Sequence, residues 1–136
     1  MTVLNNLKFL PCHRDFRGSI QMVVEDFDFK SFSRIESDPL SIRANHRHFD
    51  LHLILINEGQ IEYLEREANS NRKPDKYILN KGDLFLTRSN WEHCMFFPCF
   101  TVFDCLSTTS RKQADYDKNL IKLEYCLKQV FDNWMD

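Results

Sequence analysis

Apolar and polar positions along this chain form many short segments separated by turn signals, a pattern typical of all-β proteins. One buried run at 51–56 ends at a turn over 57–60, and 60–66 returns as its hairpin partner. Six further segments are of the same kind: 19–24, 40–46, 77–79, 84–87, 94–97 and 100–106. Short strands at near-regular spacing predict an antiparallel sandwich or barrel.

The C-terminal segment follows a different period. Beyond residue 113 no Gly or Pro occurs, and the apolar side chains that recur at helical spacing are Tyr116, Leu120, Leu123, Leu127, Val130 and Trp134. The spacing predicts an amphipathic helix over about 116–134. Its apolar face either packs on the outside of the barrel or forms a dimer contact, because amphipathic faces serve both purposes.

Size and composition narrow the class of protein. The 136 residues are 43% apolar, which predicts a single globular domain over 1–136 with its barrel over about 12–110. A net charge of −2 gives no basic footprint for nucleic acid, and no apolar run is long enough to cross a membrane. The N-terminus lacks the layout of a signal peptide, so we expect a cytoplasmic protein. Exposed sheet edges are often covered by a second chain, so we also expect a homodimer.

Five cysteines carry no pattern of their own. Their number is odd and no C-x-x-C pair is present, which argues against both a disulfide framework and a zinc site. We interpret them as structural thiols packed like small apolar residues. Cys94 adjoins His93, but neighbouring residues on a strand point to opposite faces.

Histidines carry the chemistry of this sequence. His46, His48 and His52 form H-x-H-x-x-x-H, and His93 follows Gly82 by eleven residues. On an extended strand His46 and His48 project from the same face, and a barrel can bring the other two histidines to meet them. Imidazole is both a metal ligand and an acid or base near neutral pH. The pattern therefore predicts a metal site of four histidines, an acid–base site, or both.

The spacing of these residues resembles the two motifs of the cupins, G-x5-H-x-H-x3,4-E-x6-G and G-x5-P-x-G-x2-H-x3-N. Here the first motif reads Leu40-x5-His46-x-His48-x3-His52-x6-Gly59, and the second reads Gly82-x5-Arg88-x-Asn90-x2-His93-x3-Phe97. The resemblance implies a double-stranded β-helix, or jelly-roll, barrel with the predicted helix after it. His52 stands where the family has its glutamate ligand. Four imidazoles suit zinc, nickel or iron(II), and no organic cofactor is implied.

Two further stretches resemble the RmlC-like sugar-nucleotide cupins. Asp15-Phe16-Arg17-Gly18 is similar to the D-x-R-G opening of dTDP-sugar epimerases and 3,4-ketoisomerases. The stretch from Arg43 to His48 resembles the R-x-x-H-x-H of WxcM/FdtA-like ketoisomerases and capsule-biosynthesis cupins. The resemblance implies proton transfer beside the carbonyl of a 4-keto sugar, with His48 as base and His46 as its partner. Arg17 and Arg43 are the predicted clamps for a diphosphate.

Three functions are consistent with these residues. The first is a dTDP- or UDP-4-keto-sugar isomerase or epimerase of polysaccharide biosynthesis. The second is a metal-dependent cupin, a dioxygenase or a lyase, that acts on another small molecule. The third is a barrel that binds a ligand without catalysis. His52 favours the second, since acid–base chemistry needs two histidines and not four, whereas the stretches around Arg17 and Arg43 favour the first.

Overall fold

Eleven strands and one short helix make up the computed structural model, which describes residues 12–22, 24, 26–110, 112, 118 and 120–135. The strands are β1 (Cys12–Asp15), β2 (Gly18–Gln21), β3 (Ser31–Ser37), β4 (Ile42–His48), β5 (His52–Glu58), β6 (Gln60–Arg66), β7 (Asp75–Asn80), β8 (Leu84–Leu86), β9 (Glu92–Phe96), β10 (Thr101–Ser107) and β11 (Leu120–Lys122). The helix is α1 (Leu127–Asp132).

The strands form two antiparallel sheets with apolar faces turned towards each other. One sheet has the order β3-β10-β5-β8 and the other β11-β4-β9-β6-β7, while within the described part of the chain β1 and β2 pair only with each other. Buried side chains from both sheets share one core, in which Tyr63, Phe85, Phe97 and Phe103 are the largest members. The predicted all-β jelly roll is confirmed. No helix among the described residues has the length and apolarity to span a bilayer.

A glycine at the β5–β6 turn is required by the close approach of another strand. Gly59 has a φ of +87°, and a Cβ there would collide with the main-chain oxygen of Phe100 and with Thr101. We expect Gly59→Ala to lower the free energy of unfolding by about 2 kcal/mol or more in urea titrations. Gly82 is the matched control: its φ is the same, but nothing lies within 4 Å of the added methyl. Gly82→Ala should cost only about 1 kcal/mol. Equal losses would show that the contact at Phe100 is unimportant.

The C-terminal segment departs from its predicted helix. Within 116–134, residues 120–122 form strand β11, and α1 covers Leu127–Asp132; residues 116, 117 and 119 lie outside the described residues. The prediction of one long helix is therefore wrong in extent. Pairing with the exposed edge of β4 overrides the local period, because β11 gains a ladder of hydrogen bonds there. Leu127 is fully buried in a small cluster with Leu64 and Cys94 on the outer face of the sheet.

Candidate functional site

A bulge in β4 sets which of its side chains face the barrel interior. The pairing with β9 shifts between Ala44 and His46, where Ala44 and Asn45 both have a positive φ, of 67° and 61°. Such an extra residue reverses the alternation of side chains along a strand. Beyond the bulge, His46 lies directly opposite His93, so rings from distant parts of the sequence meet on neighbouring strands.

The four predicted histidines come together at this point. Ring centroids are 5.0 Å apart for His46 and His48, and 4.7 Å apart between His93 and each of them. One nitrogen from each of these three rings lies within 4.8 Å of the others. His52 stacks on His48 at 4.2 Å, but it belongs to a second group with His48 and Asp50. All four rings therefore lie together, and three of them, those of His46, His48 and His93, could bind one metal ion through their nitrogens.

Asp50 joins two of these rings and was not singled out from the sequence. Its carboxylate lies 3.0 Å from Nδ1 of His48 and 2.8 Å from Nε2 of His52, and the hydroxyl of Ser107 donates to it at 2.9 Å. Burial alone would raise the pKa of the Asp50 carboxyl, but hydrogen bonds with His48 and His52 outweigh burial and hold that pKa well below its ordinary value. Asp50 is therefore an anion at neutral pH.

The partners of each ring fix the position of its proton. Nδ1 of His48 faces the carboxylate of Asp50 and, at 2.9 Å, its main-chain oxygen. Both groups only accept hydrogen bonds, so this nitrogen carries the proton and donates. The remaining nitrogen, Nε2 of His48, is buried without a hydrogen-bond partner among the described residues. Nδ1 of His93 likewise faces the main-chain oxygen of Trp91 at 3.2 Å. In its neutral form each ring thus presents a lone pair on Nε2.

Imidazole nitrogens that converge in this way can either accept a proton from a substrate or bind a metal ion. His48 in its neutral form, held by the carboxylate of Asp50, would be a base whose accepting nitrogen is already oriented. The same three nitrogens from His46, His48 and His93 match the number and type of ligands in a catalytic zinc site, and contacts to Asp50 and Trp91 are those that normally orient ligand histidines. The residues present therefore fit a divalent transition metal.

Comparisons with known proteins identify the fold. No protein-family model matches the chain, and no curated protein matches it in sequence. Among solved structures, a 3,4-ketoisomerase from Helicobacter canadensis is 20% identical with a TM-score of 0.64, over 91% of this chain and 94% of that one. The epimerase RmlC from Legionella pneumophila, in complex with dTDP-4-keto-L-rhamnose, is 14% identical with a TM-score of 0.64, over 91% and 74%. The fold is that of the RmlC-like cupins.

A capsule protein shares this cupin fold as part of a longer chain. The capsular polysaccharide assembling protein CapF from Staphylococcus aureus is 18% identical with a TM-score of 0.64, over 87% of the present chain. The present chain spans only 33% of the length of CapF. The structural neighbours therefore include cupins whose names refer to sugar modification and to capsule assembly.

The loop between β8 and β9 ties the second cupin motif to the first. Main-chain N–H groups of Thr87 and Asn90 donate to the carbonyls of His52 and His48 at 2.9 and 2.7 Å, and the hydroxyl of Thr87 accepts from the N–H of His52. The proline and glycine of the family motif are Arg88 and Asn90 here. Asn90 occupies the turn with a φ of 61°, which asparagine tolerates better than most residues.

A buried glutamate, Glu65, lies beside His93 and was not predicted from the sequence. Glu65 lies opposite His93 in the β6–β9 pairing and is fully buried, and burial raises the pKa of its carboxyl. Nε of Arg88 lies 3.2 Å from one of its oxygens. Tyr63, next on the same face, stacks on the ring of His93 at 5.7 Å. The alternation of Ile61, Tyr63 and Glu65 is the signal that places this glutamate on the inner face.

The two predicted arginine clamps both bind other groups of the protein. Arg43 hydrogen bonds to the hydroxyl of Ser37 at 2.7 Å and to the carbonyl of Glu36 at 2.9 Å, which ties β4 to β3. Arg17 lies at the β1–β2 turn and binds the carboxylate of Asp15 at 2.7 Å. Among the described residues this hairpin pairs with neither barrel sheet. Their role as clamps stays a prediction.

Cys94 faces away from the site. It belongs to the outer cluster with Leu64 and Leu127, whereas its neighbour His93 faces inward. Burial raises the pKa of its thiol to about 12. A thiol that stays protonated at neutral pH is a poor nucleophile, as expected for a structural cysteine.

The buried His93 makes stability depend on pH. Burial and the neighbouring His48 and His46 hold its pKa well below 6.5, so below that pH the unfolded chain binds one more proton at this residue than the folded one. We expect the unfolding free energy of metal-free protein to fall as the pH decreases from about 7 to about 5, by up to about 1.4 kcal/mol per pH unit from this group. His93→Gln should flatten the dependence in urea titrations at several pH values. An unchanged slope would contradict the assignment.

Proposed function

We propose that this cupin transfers a proton at the carbon beside the carbonyl of a 4-keto sugar nucleotide, as a sugar isomerase or epimerase of polysaccharide biosynthesis. The observation that carries the proposal is the His48–Asp50 pair, in which Nδ1 is held by a carboxylate and Nε2 is buried without a hydrogen-bond partner among the described residues. The neighbours support it: one is a 3,4-ketoisomerase, and another binds dTDP-4-keto-L-rhamnose.

The proposed step uses residues of the described site only. Nε2 of His48 takes the proton from the carbon next to the ketone, the electron pair moves into the carbonyl, and an enediolate forms. Asp50 stabilises the resulting imidazolium, because its carboxylate is already 3.0 Å from Nδ1. His46, with ring centroid 5.0 Å from that of His48, is the partner that returns a proton to the enediolate.

A metal-dependent reaction is the second candidate, and the three clustered nitrogens favour it. His46, His48 and His93 would hold the ion, and His52 would stay outside this set, in contact with Asp50. A bound metal would polarise a carbonyl as a Lewis acid. Both candidates need the same lone pair on Nε2 of His48, so the base and the ligand roles of this residue exclude each other. Added metal must therefore inhibit the first reaction or activate the second.

The test measures deuterium uptake by dTDP- and UDP-4-keto sugars in deuterated water, followed by NMR. Under the proposal, protein treated with a chelator catalyses exchange at the carbon beside the ketone, and zinc inhibits it in proportion to occupancy. Exchange that requires metal supports the second candidate. If no sugar of the panel exchanges with or without zinc, nickel or iron(II), the enzymatic proposal is wrong. A nucleotide sugar that binds without exchange then identifies a non-enzymatic binding barrel.

A homodimer and a cytoplasmic location belong to the same proposal. Strand β3 is an edge of its sheet, and Phe32 on it is 59% exposed. Apolar edges of this kind are usually covered by another chain. Sedimentation equilibrium of the wild type and of Phe32→Lys distinguishes a dimer at this edge, since the substitution should shift the wild-type dimer towards monomer.

A further inference from the structure

His46 is the least buried residue of the three clustered histidines. His48 and His93 are 2% and 1% exposed, whereas His46 is only partly buried. A cavity of about 410 Å³ adjoins His46, a volume within the usual range for small-molecule sites. Its lining consists of Ala44, Asn45, His46, Leu120, Lys122 and Leu123. Open space therefore lies beside β4 and β11, next to one of the three clustered histidines.

The walls of this cavity are built by specific contacts. On one side the bulge in β4 moves Asn45 outward, where its amide donates to the carbonyl of Tyr125 at 2.7 Å and its Oδ1 accepts from the N–H of Leu127 at 2.9 Å. The carbonyl of Asn45 also accepts from the N–H of Leu123 at 3.2 Å. These three bonds hold the chain after β11 against the bulge, so the opening is a built feature of the fold.

One cation faces this opening. Lys122 lies directly opposite His46 in the β4–β11 pairing, and paired residues project from the same face of a sheet. Its ammonium has no ion pair or hydrogen bond with any residue in the described part of the chain, unlike Lys76 and Lys128, which bind Glu62 and Asp132. Arg43 and Arg17, the cations expected from the sequence, are already engaged with other groups.

We propose that Lys122 binds an anionic group of the substrate, a phosphate, and so places the rest of the molecule against His46 and His48. Lys122 and His46 both line this cavity, which suits a ligand that carries a phosphate a few bonds from its reacting carbon. This assignment rests on the proposed function for the sugar part of the ligand. The phosphate part rests on the charge and position of Lys122 alone.

The binding test uses inorganic pyrophosphate and uridine diphosphate as probes, with isothermal titration of the full chain. Lys122→Met should weaken the binding of both probes about tenfold, the usual effect of losing a charge-assisted hydrogen bond, while Lys122→Arg should retain it. Lys81→Met removes the same charge at the exposed β7–β8 turn and should bind as the wild type does. Equal affinities for wild type and Lys122→Met, or an equal loss in Lys81→Met, would overturn the assignment.

Two readouts separate this inference from the proposed function. In nitrogen-detected spectra of the imidazoles, pyrophosphate should shift His46 in the wild type and leave His13 unchanged, with no catalysis required. If pyrophosphate binds in this way but no 4-keto sugar exchanges, the phosphate site stands and the isomerase proposal fails. If exchange occurs and Lys122→Met leaves its KM unchanged, the isomerase proposal stands and Lys122 is not the phosphate ligand.

Discussion

His48→Asn should abolish exchange of the proton beside the ketone while leaving the barrel folded. Loss of a positioned base typically costs about 10²- to 10⁴-fold in rate, and no other described ring combines a carboxylate on Nδ1 with an unpartnered, buried Nε2. Asparagine keeps polar contact with Asp50 in the same space. We therefore expect circular dichroism and the unfolding midpoint to remain close to those of the wild type while deuterium uptake falls below detection.

Two matched variants make this result specific. His13→Asn changes the same residue type on the exposed β1–β2 hairpin and should exchange at the wild-type rate. His46→Asn should retain much of the exchange, because abstraction needs only the base, but should lose formation of the isomerised product. A His48→Asn protein that is folded and still exchanges at more than a tenth of the wild-type rate would rule out His48 as the base.

Asp50→Asn should lower kcat and metal affinity by about 10- to 100-fold each, without a change in KM. The carboxylate holds His48 and His52 in position and stabilises a positive charge on His48, and a neutral amide cannot do the latter. Since Asp50 has no contact with the cavity beside His46, substrate binding should be unaffected. Steady-state kinetics and zinc titration measure the two effects.

Ser107→Ala is the control for this prediction. The hydroxyl of Ser107 donates at 2.9 Å to the Asp50 oxygen that also contacts His52. The variant therefore removes a hydrogen bond from Asp50 but keeps its charge. The loss in kcat should stay within about tenfold, since a neutral hydrogen bond is worth about 1 kcal/mol. If Ser107→Ala and Asp50→Asn were equally impaired, or if Asp50→Asn raised KM instead of lowering kcat, the role of the carboxylate would be wrong.

Local patterns were sufficient for most of the barrel. The hairpin of β5 and β6 was predicted with its turn, because an apolar run followed by Gly59 and an alternating return is a signal within one stretch of chain. Strand β3 was not predicted. Its inward residues include Ser31, Ser33 and Ser37, while Phe32 faces solvent, so its alternation runs opposite to the usual apolar-in pattern. Only pairing with β10 explains why it is a strand.

The candidate site was predicted in its ring positions but not in its connections. Spacing within one strand places His46 and His48 together, and the motif resemblance added His52 and His93. The proton positions depend on Asp50, whose parity with His48 and His52 in H-x-D-x-H was readable from the sequence but was not used. The position of Lys122 was not readable, because it depends on β11 pairing with the edge of β4 where a helix had been expected.

Nitrogen-detected NMR of the imidazole rings in metal-free protein at neutral pH is the most direct test of the site. The account predicts that His48 has a protonated Nδ1 and an unprotonated Nε2, and that one equivalent of zinc shifts the Nε2 signals of His48, His93 and His46 together while His13 stays unchanged. A protonated Nε2 on His48, or zinc that shifts one of these rings without the others, would contradict it.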